Sequence, residues 1–207
     1  MAPQRKRPWY LVLALLGGLA LGSTGALEGW AKITFFRVPI DPALAVQGIS
    51  DQADRAAVQA RFEAVVRTVD ATKSRGWPLA VAALLLGSAI VLLTMRAMGG
   101  SRGGRSALVQ LLAAQAGLTV ASFWLLREVV DANVRLFDAE RVVMIHESTL
   151  EQHQAEEAMD VTARIGPVLT PVFLALRTLG SILVIVGLTR RRSREFFDAS
   201  SAALEER

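Results

Sequence analysis

The chain has 207 residues, 52% of them hydrophobic and 20% charged, with 23 Lys+Arg against 19 Asp+Glu and no Cys. It is more apolar than an ordinary soluble domain, and the lack of Cys excludes disulfides, thiolate metal sites, cysteine nucleophiles and lipidated cysteine. A formal charge of +4 speaks for nucleic acid only if the basic residues gather on one surface, so their distribution along the chain decides what they mean.

Residues 1–8 carry Arg5, Lys6 and Arg7 and no acid. The first apolar run, 9–27, matches the roughly 20 helical residues that cross about 30 Å of hydrocarbon, and Trp9 and Tyr10 suit an interfacial belt at its start. Its basic start and the small residues before Ala26 also fit a cleaved secretory signal. The run is longer than a usual signal core, which favours a retained anchor; cleavage would leave three spans in the same orientation. Within it, Gly18 and Gly22 form a small-xxx-small pair. Together with Gly87 and Gly180 in later runs they are candidate sites of close helix packing.

Residues 28–76 form a loop with seven basic and six acidic residues. Its first part, 30–42, is rich in β-branched and aromatic residues with two prolines, which predicts an extended segment. From about 50 to 75 there is neither Gly nor Pro, and Val58, Phe62, Val65 and Val69 recur at 4-3-4 spacing, which predicts an amphipathic helix capped by Ser50. Gly76 is expected to end that helix at a hinge, with Pro78 in the first turn of the next span.

The second apolar run is 77–95. Residues 96–106 follow with three arginines and no acid. Their Gly-Gly-Ser-Arg-Gly-Gly-Arg-Ser stretch lacks the Gly-Lys-Ser/Thr ending of a phosphate loop and reads as a flexible basic connection. The third run, 107–126, is followed by 127–167, where four basic residues meet nine acidic ones. No Gly or Pro interrupts the chain after Gly117 until Gly166, so the third helix is expected to continue outward unbroken. Val129, Leu136 and Val143 mark its seam, with a reversal near 146–154 and a return arm to the membrane. Three outer helices then pack as a small bundle. His146, His153 and Glu157 share a register, but too few ligands accompany them for a closed zinc site. The fourth run, 168–189, precedes a tail, 190–207, that opens with Arg190, Arg191, Arg192 and Arg194.

Because a Lys/Arg excess beside helix ends marks the cytoplasmic side, both termini and the 96–106 connection are expected inside and the two long loops outside. The fold class is therefore an all-α integral membrane protein with four transmembrane helices and extracytoplasmic helical extensions. Its Ala-, Arg- and Leu-rich composition points to a bacterial plasma membrane. The tail arginines should meet anionic headgroups with Phe196 and Phe197 dipping into the interface, and orientation explains the basic residues without nucleic acid.

Arg177 falls inside the fourth run, where an arginine is costly by at least about 2.5–3.5 kcal/mol and needs a partner. No acid lies within any of the four runs, so the candidates are Gln115, Ser88 and Thr119, together forming an intramembrane polar cluster. No nucleophile–base grouping, paired intramembrane carboxylate or cofactor fingerprint is assembled. The span order resembles tetraspan proteins in outline, without the cysteine patterns of tetraspanins and claudins, and it implies nothing further. The expected function is non-enzymatic and cofactor-free: a membrane subunit whose outer bundle binds another membrane protein or a second copy. The alternatives are a transporter or channel component built on Arg177 and Gln115, or a sensor relaying to a separate effector.

Overall fold

The structure is a computed structural model that describes residues 8–37, 41–146 and 152–205, and their side chains except at 44, 45, 146, 152–167, 169, 170 and 203–205. Its helices are α1 (Trp9–Arg37), α2 (Pro42–Ala45), α3 (Gln52–Met98), α4 (Arg102–Leu125), α5 (Arg127–His146), α6 (Gln152–Thr189) and α7 (Arg191–Glu205), with no strand among the described residues. Four helical segments are long and apolar enough to cross a membrane: α1, α3, α4 and the Pro171–Thr189 part of α6. The chain is thus an all-helical, multi-pass membrane protein, the arrangement in which every backbone polar group in lipid is satisfied within its own segment.

The chain divides into two compact units: Met1–Ile33, Pro78–Ala121 and Leu174–Arg207 form the first, Thr34–Trp77 and Ser122–Phe173 the second. In the first unit, Leu11, Leu15, Ile90, Leu108, Leu112 and Leu188 make a dry core. Leu85, Leu92 and Leu183 point outward, as expected of helices that are apolar all round. Small residues let α1 and α3 approach closely. A Cβ at Gly87 would strike the backbone at Ala26 and Gly22, and one at Gly29 would strike the backbone of Leu84. Gly22 is therefore spent on contact within the chain. Gly18 faces Thr94, whereas Gly180 has only Leu21 at ordinary contact distance.

The connection expected to be a flexible basic loop is a three-residue turn between α3 and α4. Gly99 and Gly100 donate to the carbonyls of Arg96 and Ala97 at 3.1 and 2.9 Å, and Gly100 takes a positive φ of 89°. The tail is the helix α7. Phe197, expected at the lipid interface, is fully buried in the core of the first unit, beneath the Arg105 guanidinium at 5.9 Å from its ring centre. Ser193 is buried too and donates to the carbonyl of Gly187 at 2.7 Å. An amphipathic helix with a buried aromatic anchor packs on protein in preference to lying on lipid.

In the second unit the α3 arm buries Val58, Val65, Val69 and Thr72, with Phe62 half-buried, and α5 buries Val129, Leu136 and Val143. Three expectations fail, each for a local reason, and a fourth holds but for one residue. The segment 30–37 is helical rather than extended, because an established helix adds one hydrogen bond for each further residue while a β-branched residue weakens it only by tenths of a kcal/mol. Asp51, not Ser50, receives the first backbone donors of α3, from Ala53 and Asp54 at 2.7 and 3.0 Å. Gly76 does not end a helix, since α3 runs through it and through Pro78. Gly76 is needed where the ring of Phe36 rests, because any Cβ there would collide with it, and Pro78 is carried within the helix on an exposed face at the cost of one backbone hydrogen bond. The third helix does continue beyond its apolar run: only Leu126 lies between α4 and α5, its N–H donates to the carbonyl of Ser122 at 3.0 Å, and its own carbonyl accepts from both Val129 and Val130, which tightens one turn. Residues 147–151, within the expected reversal, and the side chains of His146, Leu150, His153 and Glu157 lie outside the described residues.

Candidate functional site

Depth along the spans brings one polar group together in the first unit. At 1.5 Å per residue, Gln115 stands about 20 Å along α4 from Arg102, Arg177 about 18 Å back along α6 from Thr189, and Glu28 about 28 Å along α1 from Trp9. Arg177 bridges this difference in level because its long side chain reaches past Gly25, and its Nη1 donates to Oε2 of Glu28. Lys32, one turn further along α1, donates from Nζ to the other oxygen of the same carboxylate at 2.6 Å. Two cations thus share one acid.

Beneath them Gln115, only 4% exposed, donates from Nε2 to the carbonyl of Leu21 at 3.2 Å. Its Oε1 is buried without a hydrogen-bond partner among the described residues. Gly25 makes the convergence possible, since a Cβ there would strike Gln115 Nε2 and come within 3.3 Å of Arg177 Nη2. The other two members of the expected cluster are elsewhere. Ser88 is exposed, and Thr119 Oγ1 donates to the carbonyl of Gln115 on its own helix at 2.8 Å.

Glu28 and Lys32 are the members that sequence reasoning missed. Glu28 is the first residue after the apolar run that ends at 27, so hydropathy alone assigns it to the loop. The available signal was its i,i+4 spacing to Lys32, the pattern of an ion pair on a helix that has not yet ended.

The second unit offers a different surface. Beside its buried face, α5 carries a second apolar line at 4-3-7 spacing: Val130 and Val134, half-buried, then Phe137 and Met144, 59% and 67% exposed. Phe123, Val130, Val134 and Pro171 line a groove of about 510 Å³, with Arg127, Asp131 and Arg135 along it. On the other flank of α5, Arg61 and Thr68 of α3 with Glu128 and Asp131 bound a more polar pocket of about 340 Å³.

The tail arginines are all exposed. Arg190 lies over the ring of Tyr10 at 5.3 Å, Arg194 donates to the carbonyl of Thr189 at 2.9 Å, and Arg191 pairs with Glu195 at 3.0 Å. Arg102 pairs with Asp198 at 3.2 Å and so ties the α3–α4 turn to α7. Among the described residues no group of three or more His, Cys, Asp or Glu is placed to hold a metal ion. Comparison with known proteins finds no matching family model, no matching curated protein and no matching solved structure.

Proposed function

We propose that this protein is a non-enzymatic subunit of a membrane assembly, and that the exposed apolar line of α5 is where a neighbouring protein packs. One observation carries the reading. Phe137 and Met144 are large, apolar and exposed on a helix that is not among the four segments apolar enough to cross a membrane. A side chain of this kind inside a span meets lipid, whereas outside a span it meets water unless a partner covers it. The groove of Phe123, Val130, Val134 and Pro171 continues the surface and suits an apolar helix face, while Arg127, Asp131 and Arg135 supply a polar rim. The charge pattern supports an orientation in which the short basic segments 1–8, 96–106 and 190–207 lie in the cytoplasm and α5 lies outside. The composition supports a bacterial plasma membrane as the setting.

The absence of Cys makes the test direct. A single Cys introduced as Phe137→Cys and treated with a short thiol–amine crosslinker in native membranes should give one discrete adduct, with another protein or with a second copy. Met144→Glu in the same chain should abolish it. A chain that stays uncrosslinked and monomeric with Phe137→Cys in place contradicts the proposal.

A further inference from the structure

We infer that Lys32, Glu28 and Arg177 form a site for the phosphate of an anionic phospholipid, at the end of the spans remote from Trp9. The two cations share a single carboxylate, which leaves the triad with one uncompensated positive charge. Their donors are also unequally used. Arg177 engages Glu28 through Nη1 alone and Lys32 engages only Glu28, so Arg177 Nε and Nη2 and the remaining Lys32 hydrogens have no partner among the described residues. An excess charge in a low-dielectric setting is unfavourable until an anion meets it, and a guanidinium beside an ammonium presents the donors that phosphate oxygens accept.

The position favours a lipid as the source of that phosphate. Glu28 lies about 28 Å from the start of α1, the level of a headgroup across about 30 Å of hydrocarbon. The surroundings are those of a side chain facing acyl tails: Leu27 and Trp30 on α1 and Leu176 and Leu179 on α6 are all more than half exposed. Gln115 and the bare backbone of Gly25, which Arg177 Nη2 faces, close the site from beneath, while the partly exposed side chains of Arg177 and Lys32 leave it open on its outer side. This site is separate from the tail arginines, which follow Thr189, about 18 Å along α6 from Arg177.

The test uses the full chain carrying Arg191→Gln and Arg192→Gln, which removes two exposed competing cations. Binding of phosphatidylglycerol and of phosphatidylcholine is measured by native mass spectrometry from detergent. Phosphatidylglycerol should be preferred, and Lys32→Gln and Arg177→Gln should each weaken it by about fivefold, the equivalent of about 1 kcal/mol per cation near the surface. Glu28→Gln should strengthen it by a similar factor, since it removes the competing carboxylate, an effect that a merely structural ion pair does not produce. Lys32 is partly exposed and its loss leaves the core untouched, so Lys32→Gln remains informative if the other variants fail to fold. Equal retention of the two lipids, or unchanged phosphatidylglycerol binding in Lys32→Gln, overturns the inference. Inorganic phosphate supplied alone should bind weakly; if it binds as tightly as the lipid and with the same Lys32 dependence, the ligand is a free anion and the lipid assignment is wrong.

Discussion

Two helical glycines of the first unit should respond oppositely to the same substitution. A methyl at Gly87 meets the α1 backbone, which cannot rotate aside, whereas a methyl at Gly117 meets nothing within 4 Å. Gly87→Ala should therefore destabilise by about 1–3 kcal/mol through overpacking, and Gly117→Ala should stabilise by up to about 1 kcal/mol through helix propensity. Thermal unfolding of both variants in detergent checks the sign. The Arg177–Glu28 pair belongs to the same scale. Glu28→Gln strands Arg177, whereas Arg177→Gln leaves Glu28 with Lys32, so Glu28→Gln should be the costlier single change and the double variant more stable than the sum of the singles, with a coupling of about 0.5–3 kcal/mol from a double-mutant cycle. The position of Arg177 inside an apolar run makes the need for a partner legible, but the partner is Glu28, and the expected Gln115 lies nearby and donates to the carbonyl of Leu21 instead. Sequence reasoning misses Glu28 because an apolar run and a helix do not end at the same residue: hydropathy stops at 27, while the backbone ladder continues to Arg37.

Elements were legible where side-chain periodicity speaks and illegible where Gly or Pro has two meanings. The 4-3-4 recurrence of Val58, Phe62, Val65 and Val69 marks a buried face correctly, because a face must be buried wherever it packs. Gly76 and Pro78 read as a hinge, yet in α3 the first accommodates the ring of Phe36 and the second sits on an exposed face. A glycine that breaks a helix and one that admits a neighbour are identical in sequence, and only tertiary contact separates them. The run without Gly or Pro after Gly117 did mark continuity, since the helical bonds pass through Leu126 on both sides. The start of α3 gives an element-scale prediction. Asp51 accepts from Ala53 and Asp54, so Asp51→Ala should lower stability by about 1 kcal/mol and speed amide exchange in the first turn of α3, leaving exchange at 85–95 unchanged.

At the scale of the whole molecule, four apolar helical segments settle the class of protein, since composition and length alone fix what can cross a bilayer. The tail was only half legible. Its arginines are exposed, but Phe197 belongs to the core, so α7 is anchored by the protein and presents Arg191 and Arg192 from a fixed position. The proposed orientation rests on the three short basic segments, and with it the placing of α5 outside the cell. Single cysteines placed as Arg55→Cys, Asp138→Cys, Gly103→Cys and Arg192→Cys in the Cys-free chain, and exposed to a membrane-impermeant maleimide on intact cells, test it most directly. The account predicts labelling at 55 and 138, with 103 and 192 labelled only after the membrane is opened. Labelling at 103 or 192 in sealed cells would contradict it.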